Sequence, residues 1–230
     1  GADLRYQKGD LMKEAVILLS GGMDSGVLLA WASGRYDGIH GLFFDYGSKH
    51  GAREYEKARE LAKRYEASLN TVALPFMNEL FSSTLLSSGV DIPEGPYASE
   101  NISSTVVSFR NGIMLSIAVG YAENRGISTV LIASHGGDHP VYPDCRPGFT
   151  EAMSRAAREG TFTGVTIHAP FASFDKKDIA ELGRDMGFDF RMSYSCYKGG
   201  PLHCGRCATC LERMAALGHD RGLDPTEYES

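Results

Sequence analysis

No stretch of this sequence stays apolar for the roughly 20 residues that a bilayer crossing takes, so no transmembrane helix is expected. The opening residues, 1–11, are polar and mixed and lack the apolar centre of a secretory leader. They are read as an extension or an expression remnant, ahead of a main part over residues 12–190 and a smaller one over 191–225. Lysine and arginine never run beyond two in succession, and the net charge is −6. A basic stripe for a phosphate backbone is therefore missing, which argues against a macromolecular nucleic-acid substrate. Cysteine is scarce, with five residues in 230, and four of them fall between 196 and 210. That crowding does not suit the disulfide framework of a secreted miniprotein, and a reducing, cytoplasmic setting is expected. Internal repeats and low-complexity segments are absent. So are two phosphate-binding signatures. Without Gly-x-x-x-x-Gly-Lys-Ser/Thr the P-loop of kinases and GTPases is excluded, and without Gly-x-Gly-x-x-Gly so is the common dinucleotide fingerprint. What remains, 43% hydrophobic and 23% charged, is an ordinary soluble composition for one large domain or one domain with an appendage.

What is present starts at Ala15-Val-Ile-Leu-Leu-Ser-Gly-Gly-Met-Asp-Ser25. The apolar run has the length of a buried strand, and the two glycines permit a tight turn with close backbone approach. From Val27 the chain can start a helix whose unpaired N–H groups and dipole face that turn. Strand, glycine turn and helix N-terminus together make an anion site, most naturally for phosphates. Ser20 and Ser25 add hydroxyl donors, and Asp24 is placed to hold a magnesium ion against the phosphates. Ser-Gly-Gly-x-Asp-Ser resembles the pyrophosphate loop of the ATP pyrophosphatases. Enzymes of that superfamily join AMP to a carbonyl-type oxygen, release pyrophosphate, and let a nucleophile displace the AMP.

Beyond the loop, apolar patterning alternates between strand and helix. Strands are expected over 16–19, 38–45, 69–74, 129–133 and 165–169, and helices over 26–33, 53–65, 110–124, 149–159 and 175–186. This is an α/β protein with a doubly wound, mostly parallel sheet, and its ligands belong at the carboxyl ends of the strands. Residues 77–104 are rich in Ser, Gly and Pro and long for a connector, so they read as a lid or a partner-facing segment. The loop from His135 to Arg146 leaves a strand's carboxyl end and reads as substrate-facing.

Cys196-x7-Cys204-x2-Cys207-x2-Cys210 supplies four thiolates within fifteen residues. Four sulfurs suit zinc in a closed structural site, which would pin a small C-terminal appendage beside the cleft; an iron–sulfur cluster is the competing reading, because spacing does not separate the two. His203 borders the array and reads as a surface histidine. Cys145 lies between Asp144 and Arg146 and is a conceivable nucleophile. Adenylate chemistry with ammonia needs no covalent enzyme intermediate, so it reads as a small thiol in a rigid loop.

Taken together, several segments resemble the 7-cyano-7-deazaguanine synthase family of the queuosine and archaeosine pathways. They are Leu19 to Ser25, Phe44-Asp45-Tyr46-Gly47 with His50, Arg110-Asn111, Asp138 with Tyr142-Pro143-Asp144-Cys145-Arg146, Lys176 ahead of Asp178-Ile179, and Ser195-Cys196-Tyr197 leading into the cysteine array with Arg213 after it. The resemblance implies conversion of 7-carboxy-7-deazaguanine to the nitrile with ATP and ammonia, through adenylated intermediates and an amide. Ammonia is expected to arrive free, since 230 residues leave no room for a glutaminase domain. Leu19, Ser20, Gly21, Gly22, Met23, Asp24, Ser25, Gly26 and Val27 would bind ATP and its magnesium, with Asp45 and Tyr46 near the nucleotide. Asp24, Arg110 and Lys176 would be catalytic, and Asn111, Asp138, Tyr142, Asp144 and Arg146 would face the substrate. Cys196, Cys204, Cys207 and Cys210 would hold the metal, and family habit implies a homodimer. Some positions depart from the family pattern: Ser48-Lys49 for Gln-Arg, Ser108-Phe109 for Pro-Gly, Tyr194 for tryptophan and Gly148 for an acidic residue. They gather on the acceptor side while the ATP loop is intact. The alternative is therefore a ligase that adenylates the same carboxylate and transfers it to an amine of a partner protein.

Overall fold

The structure, a computed structural model, describes residues 13–96, 104–138 and 142–229. The expected extension over 1–11, residues 97–103 of the long connector, and His139, Pro140 and Val141 of the substrate-facing loop lie outside the described residues.

Strand β1 (Glu14–Leu18) buries four apolar side chains in a row, and its pleat sends them alternately to two faces. Ala15 and Ile17 enter one core, Val16 and Leu18 the other. A strand buried on both faces belongs mid-sheet. Accordingly, β1 pairs in parallel with β2 (Gly38–Asp45) on one side, Val16 opposite His40, and with β4 (Thr129–Leu131) on the other, Val16 opposite Val130. With β3 (Ser68–Ala73) and β5 (Thr166–His168) the sheet is five-stranded and wholly parallel, in the order β3-β2-β1-β4-β5.

Helices α1 (Met23–Ser33), α2 (Gly51–Arg64) and α6 (Lys176–Asp185) cover the Ile17 face through Val27, Leu28, Ala58, Leu61 and Ile179. Helices α3 (Pro75–Leu80), α4 (Arg110–Asn124) and α5 (Pro147–Gly160) cover the Val16 face through Met77, Met114, Leu115, Ala118 and Ala157. Helix α7 (Ala208–Leu217) follows the cysteine array and packs on α6. Strand order reverses between β1 and β4, which opens a crevice at their carboxyl ends. Among the described residues no helix is long and apolar enough to cross a membrane.

The expected α/β class is the observed one, and the differences are local. Helix α1 begins at Met23, three residues earlier than expected, because Gly22 serves as its N-cap and the glycine turn is correspondingly tight. Asp24 and Ser25 therefore sit in the first helical turn rather than in a loop. Pro75, expected only to stop a strand, also opens α3, where its missing N–H costs no helical hydrogen bond. The described part of the 77–104 connector is not a free lid. Leu85 and Leu86 are fully buried, Leu85 O accepts from Lys49 N at 2.9 Å, and Gly95 N donates to Arg206 O at 2.9 Å.

Candidate active site

A cavity of about 240 Å³ opens where the β1 and β4 carboxyl ends diverge. Its wall gathers Leu19, Ser20, Gly22, Met23, Asp24, Ser25, Tyr46, Arg110, Asn111, Asp138, Tyr142 and Lys176 from the expected set. Gly21, Gly26, Val27, Asp45, Asp144 and Arg146 are not in that wall.

The loop after β1 owes its shape to Gly21, whose φ is +81°. A Cβ there would lie 2.1 Å from Glu54 O and 2.8 Å from Ala58 N, so only glycine lets the turn seat on α2. Tyr194 N donates to Gly21 O at 3.0 Å from the other side. Ser20 Oγ accepts from Gly22 N at 3.2 Å and lies 3.0 Å from Ser25 Oγ, while Ser25 Oγ donates to Gly22 O at 3.2 Å. Gly26 and Val27 face inward instead: Gly26 is packed against Phe188 and Leu61, and Val27 is fully buried.

At this end Asp24 Oδ2 lies 3.6 Å from both Lys176 Nζ and His135 Nε2. Burial by itself would raise the Asp24 carboxyl, but the Lys176 charge and the His135 contact outweigh it and hold the group well below the usual carboxylate range. Lys176 is buried too, which favours its neutral form. Asp24 and Glu212, the latter at 3.1 Å, reverse that and keep it cationic. His135 is almost inaccessible, with Nδ1 accepting from Gly137 N at 3.2 Å and Nε2 3.4 Å from Asp138 Oδ2. Burial opposes its charged form, yet Asp24 and Asp138 carry it upward. Asp24 Oδ1 and Ser134 Oγ are buried with no hydrogen-bond partner among the described residues. Unpaired buried oxygens are costly, so this end is built for a guest carrying positive charge and donors. Asp24 Oδ1 beside a phosphate-type loop fits a magnesium ion.

The other end is tyrosine-rich. Arg110, at the start of α4, donates to Tyr46 Oη at 3.0 Å. Next to it stand His50, which the resemblance included without a role, and Glu54, which pattern reading passed over, with His50 Nε2 3.5 Å from Glu54 Oε2. Burial, with the nearby Arg110 charge adding to it, lowers His50 to about 4, and burial lifts Glu54 to about 8 against the pull of Arg110. Asn111 is held by donating its N–H to Asp144 Oδ2 at 2.8 Å and its Nδ2 to Asp144 O at 3.2 Å. Asp144 is thus spent on capping α4 and orienting Asn111. Arg146 is exposed and caps α5, and Asp45 accepts from Gly47 N at 3.2 Å to shape its own turn. Cys145 receives Asn111 Nδ2 at 3.2 Å, and burial pushes its thiol up to about 12, far from a thiolate nucleophile.

Four buried thiols, Cys196, Cys204, Cys207 and Cys210, place their sulfurs all within 4.8 Å of one another. A tetrahedral zinc site with metal–sulfur distances of about 2.3 Å separates its sulfurs by about 3.8 Å; Cys204 and Cys210 stand 3.9 Å apart. Backbone N–H groups of Arg206 and Cys207 point at Cys204 Sγ at 3.4 and 3.3 Å, the arrangement that supports a metal thiolate. The donor set fits a closed four-sulfur metal site. His203 is not a surface residue: it is buried, accepts from Ser195 N at 3.1 Å, and packs between Tyr194 and Tyr228. Arg213 is also buried, donating to Ser193 Oγ, Ser195 Oγ, Phe190 O and Thr226 Oγ1. It ties α7 to the segment that borders the cavity.

Residues 14–220 match the family model described as queuosine biosynthesis protein QueC. A 7-cyano-7-deazaguanine synthase of Desulfotalea psychrophila is 51% identical over 217 residues, covering 94% of this chain and 99% of that protein. One of Porphyromonas gingivalis is 51% identical over 218 residues, covering 94% and 98%. Among solved structures, NMN synthetase from Francisella tularensis superposes with a TM-score of 0.51 at 15% identity, over 95% of this chain and 80% of the other. A 4-thiouridine synthetase gives 0.50 at 19% identity, over 92% and 52%. These two likenesses show the fold.

Proposed function

The chain belongs to the QueC family of queuosine biosynthesis proteins, and from that premise we propose that it makes 7-cyano-7-deazaguanine from 7-carboxy-7-deazaguanine, ammonia and ATP, releasing AMP and pyrophosphate. The observation that carries this reading is a single cavity with a phosphate-type loop and Lys176 at one end and Arg110 among tyrosines at the other. A carboxylate is a poor electrophile because its oxygen leaves badly; adenylation supplies a leaving group. Ammonia then gives the amide, and a second adenylation, on the amide oxygen, lets AMP depart and leaves the nitrile.

In this reading the loop from Ser20 to Ser25 and Lys176 hold the phosphates, and Asp24 would hold a magnesium ion. The ion, when bound, offsets phosphate charge. Arg110 neutralises the substrate carboxylate, or the departing pyrophosphate, by charge-assisted hydrogen bonds. Asn111, Asp138 and Tyr142 face the base, with Asp144 setting Asn111. Asp45 shapes its own turn, and Arg146 lies outside the cavity wall. The four cysteines would hold zinc, whose part in the protein would be structural, pinning the appendage. We read residues 12–190 as the catalytic domain, 191–225 as its metal-pinned appendage, and the enzyme as a cytoplasmic homodimer. Transfer to an amine of a partner protein is not favoured, since the relatives at 51% identity are synthases of the free nitrile by name.

The test is incubation with ATP, ammonium and 7-carboxy-7-deazaguanine, followed by mass spectrometry of the small molecule. Nitrile is expected; AMP release with neither nitrile nor amide would overturn the reading.

A further inference from the structure

Forming the C–N bond from ammonia leaves a surplus proton on nitrogen, and the cavity must hold a group that accepts it. The residues lining it differ sharply in fitness for that task. Asp24 is held down by Lys176, and Lys176 and Arg110 are permanently cationic. Cys145 and Tyr46 hold their protons too tightly. Glu54 stands apart from these. It projects from the first turn of α2 into the cavity, 17% exposed, with no lysine or arginine nitrogen within 4 Å among the described residues. His50, the residue that caps the same helix, lies 3.5 Å from its Oε2. That histidine is 3% exposed, and the Tyr197 backbone and ring pack against it, so its imidazole is held in place beside Glu54.

We propose that Glu54 is the base that takes a proton from the nitrogen nucleophile, and that His50 positions its carboxyl. The proposal rests on the synthase reading given above. The ammonia lone pair forms the C–N bond, the C–O bond to AMP breaks with its electrons leaving on AMP, and the surplus N–H proton passes to Glu54. The same carboxylate, after returning that proton to water, serves again when the amide becomes the nitrile. The groups facing Glu54 are Arg110 from α4, His50 from the turn before α2, Tyr46 from the end of β2, and Tyr197 behind His50. Arg110 lowers the carboxyl and burial raises it, to about 8, where a base exchanges protons efficiently near neutral pH.

The test compares wild type with Glu54→Gln and Glu54→Asp, using ammonium or hydroxylamine as nucleophile, over pH 6 to 9. Hydroxylamine is unprotonated at neutral pH, and its adduct sheds a proton more readily. Glu54→Gln is expected to lose about 100-fold of the ammonium-dependent rate, with a loss at least about tenfold smaller for hydroxylamine. Glu54→Asp is expected to regain part of the ammonium rate. The ratio of wild-type to Glu54→Gln ammonium rates should rise with pH and level off above about 8. Equal losses with both nucleophiles, or a raised KM for the deazaguanine at unchanged kcat, would overturn the assignment and make Glu54 a binding group. Unchanged ammonium kinetics in Glu54→Gln would overturn it outright. A wild-type enzyme that makes neither amide nor nitrile overturns the synthase reading, and this inference with it.

Discussion

Replacing Glu54 by glutamine should make the protein more stable, and by an amount that grows with pH. The carboxyl titrates at about 8 in the fold against 4.5 in a solvated chain, with burial as the main cause and Arg110 opposing it. The folded state therefore keeps a proton that the unfolded chain gives up. A value raised on folding leaves stability intact below 4.5, then erodes it as pH climbs, and the erosion stops above 8. Each unit of difference is worth about 1.4 kcal/mol, so the interval from 4.5 to 8 sets a ceiling of about 5 kcal/mol. Side-chain relaxation and water entry reduce the measured figure to roughly half of that. Glutamine has the same shape and never ionises. Urea unfolding of both proteins at pH 4, 6 and 8.5 reads the difference, since every other group titrates alike in the two. The curves should coincide at pH 4 and separate by about 2 to 3 kcal/mol at pH 8.5, with Glu54→Gln the more stable. Parallel behaviour of the two proteins at all three values would refute the burial argument, and with it the premise that Glu54 is poised to exchange protons near neutrality.

Three further outcomes follow from the same geometry. Gly21→Ala forces a Cβ to within 2.1 Å of Glu54 O at a φ of +81°, so thermal unfolding should show a loss of more than about 3 kcal/mol, and AMP release should fall with it. Lys176→Met leaves the Asp24 carboxylate without its main counter-charge; urea unfolding at pH 7 should show a loss of about 1 to 3 kcal/mol. Because Asp24 is depressed in the fold, that gap should close as pH falls below 3.8, and adenylation should drop at least about 100-fold. Chelation should release one metal ion per chain and expose four titratable thiols. It should also lower AMP release, because Glu212, which braces Lys176, sits in the helix that Cys210 anchors. Iron with visible absorbance in the metal analysis would exclude zinc.

Much of the fold was legible because burial on two faces leaves an unmistakable trace. Val16 to Leu18, Leu42 to Phe44 and Val130 to Leu131 are continuous apolar runs, and only a parallel sheet covered by helices on both sides needs them. Helix α4 was expected over its observed residues, Arg110–Asn124. Ends were less readable where a glycine or a proline had two readings. Gly22 looked like part of a loop and acts as a helix cap; Pro75 looked like a stop and is also a start. Phe109 is more instructive. Its place in the chain is one where the resembled family carries glycine, and the structure holds it at φ +54°, in the left-handed region, with its ring stacked over Gly112. The backbone keeps the turn that sets Arg110 and accepts strain of about 1 to 2 kcal/mol to do so. An aromatic side chain in the sequence gave no hint of that conformation.

The two ends of the cavity differ in how they could be read. The end proposed to hold phosphate is contiguous in sequence, so Ser20 to Ser25 declared itself through spacing alone. The acceptor end is assembled from His50, Glu54, Arg110 and Tyr197, residues up to about 150 positions apart that meet only because β2 and α4 flank β1. Glu54 sits in a helix whose polar residues form a solvated face, with Arg53 and Glu56 paired 2.9 Å apart and Lys57 and Glu60 at 2.8 Å. By charge pattern it is one more exposed acid. It differs from Glu56 because it stands on the side of α2 that lines the cavity, where the 21–22 turn packs on the helix backbone, rather than on the side that faces water. The glycine that shapes the 20–25 loop thus also rests on the backbone of Glu54. Gly21→Ala should therefore disturb both ends at once, whereas Lys176→Met should leave the alkaline titration of Glu54 where it was. Following the pH dependence of stability in the two variants separates these outcomes, and an unshifted Glu54 titration in Gly21→Ala would show that the turn is not what holds the carboxyl out of water.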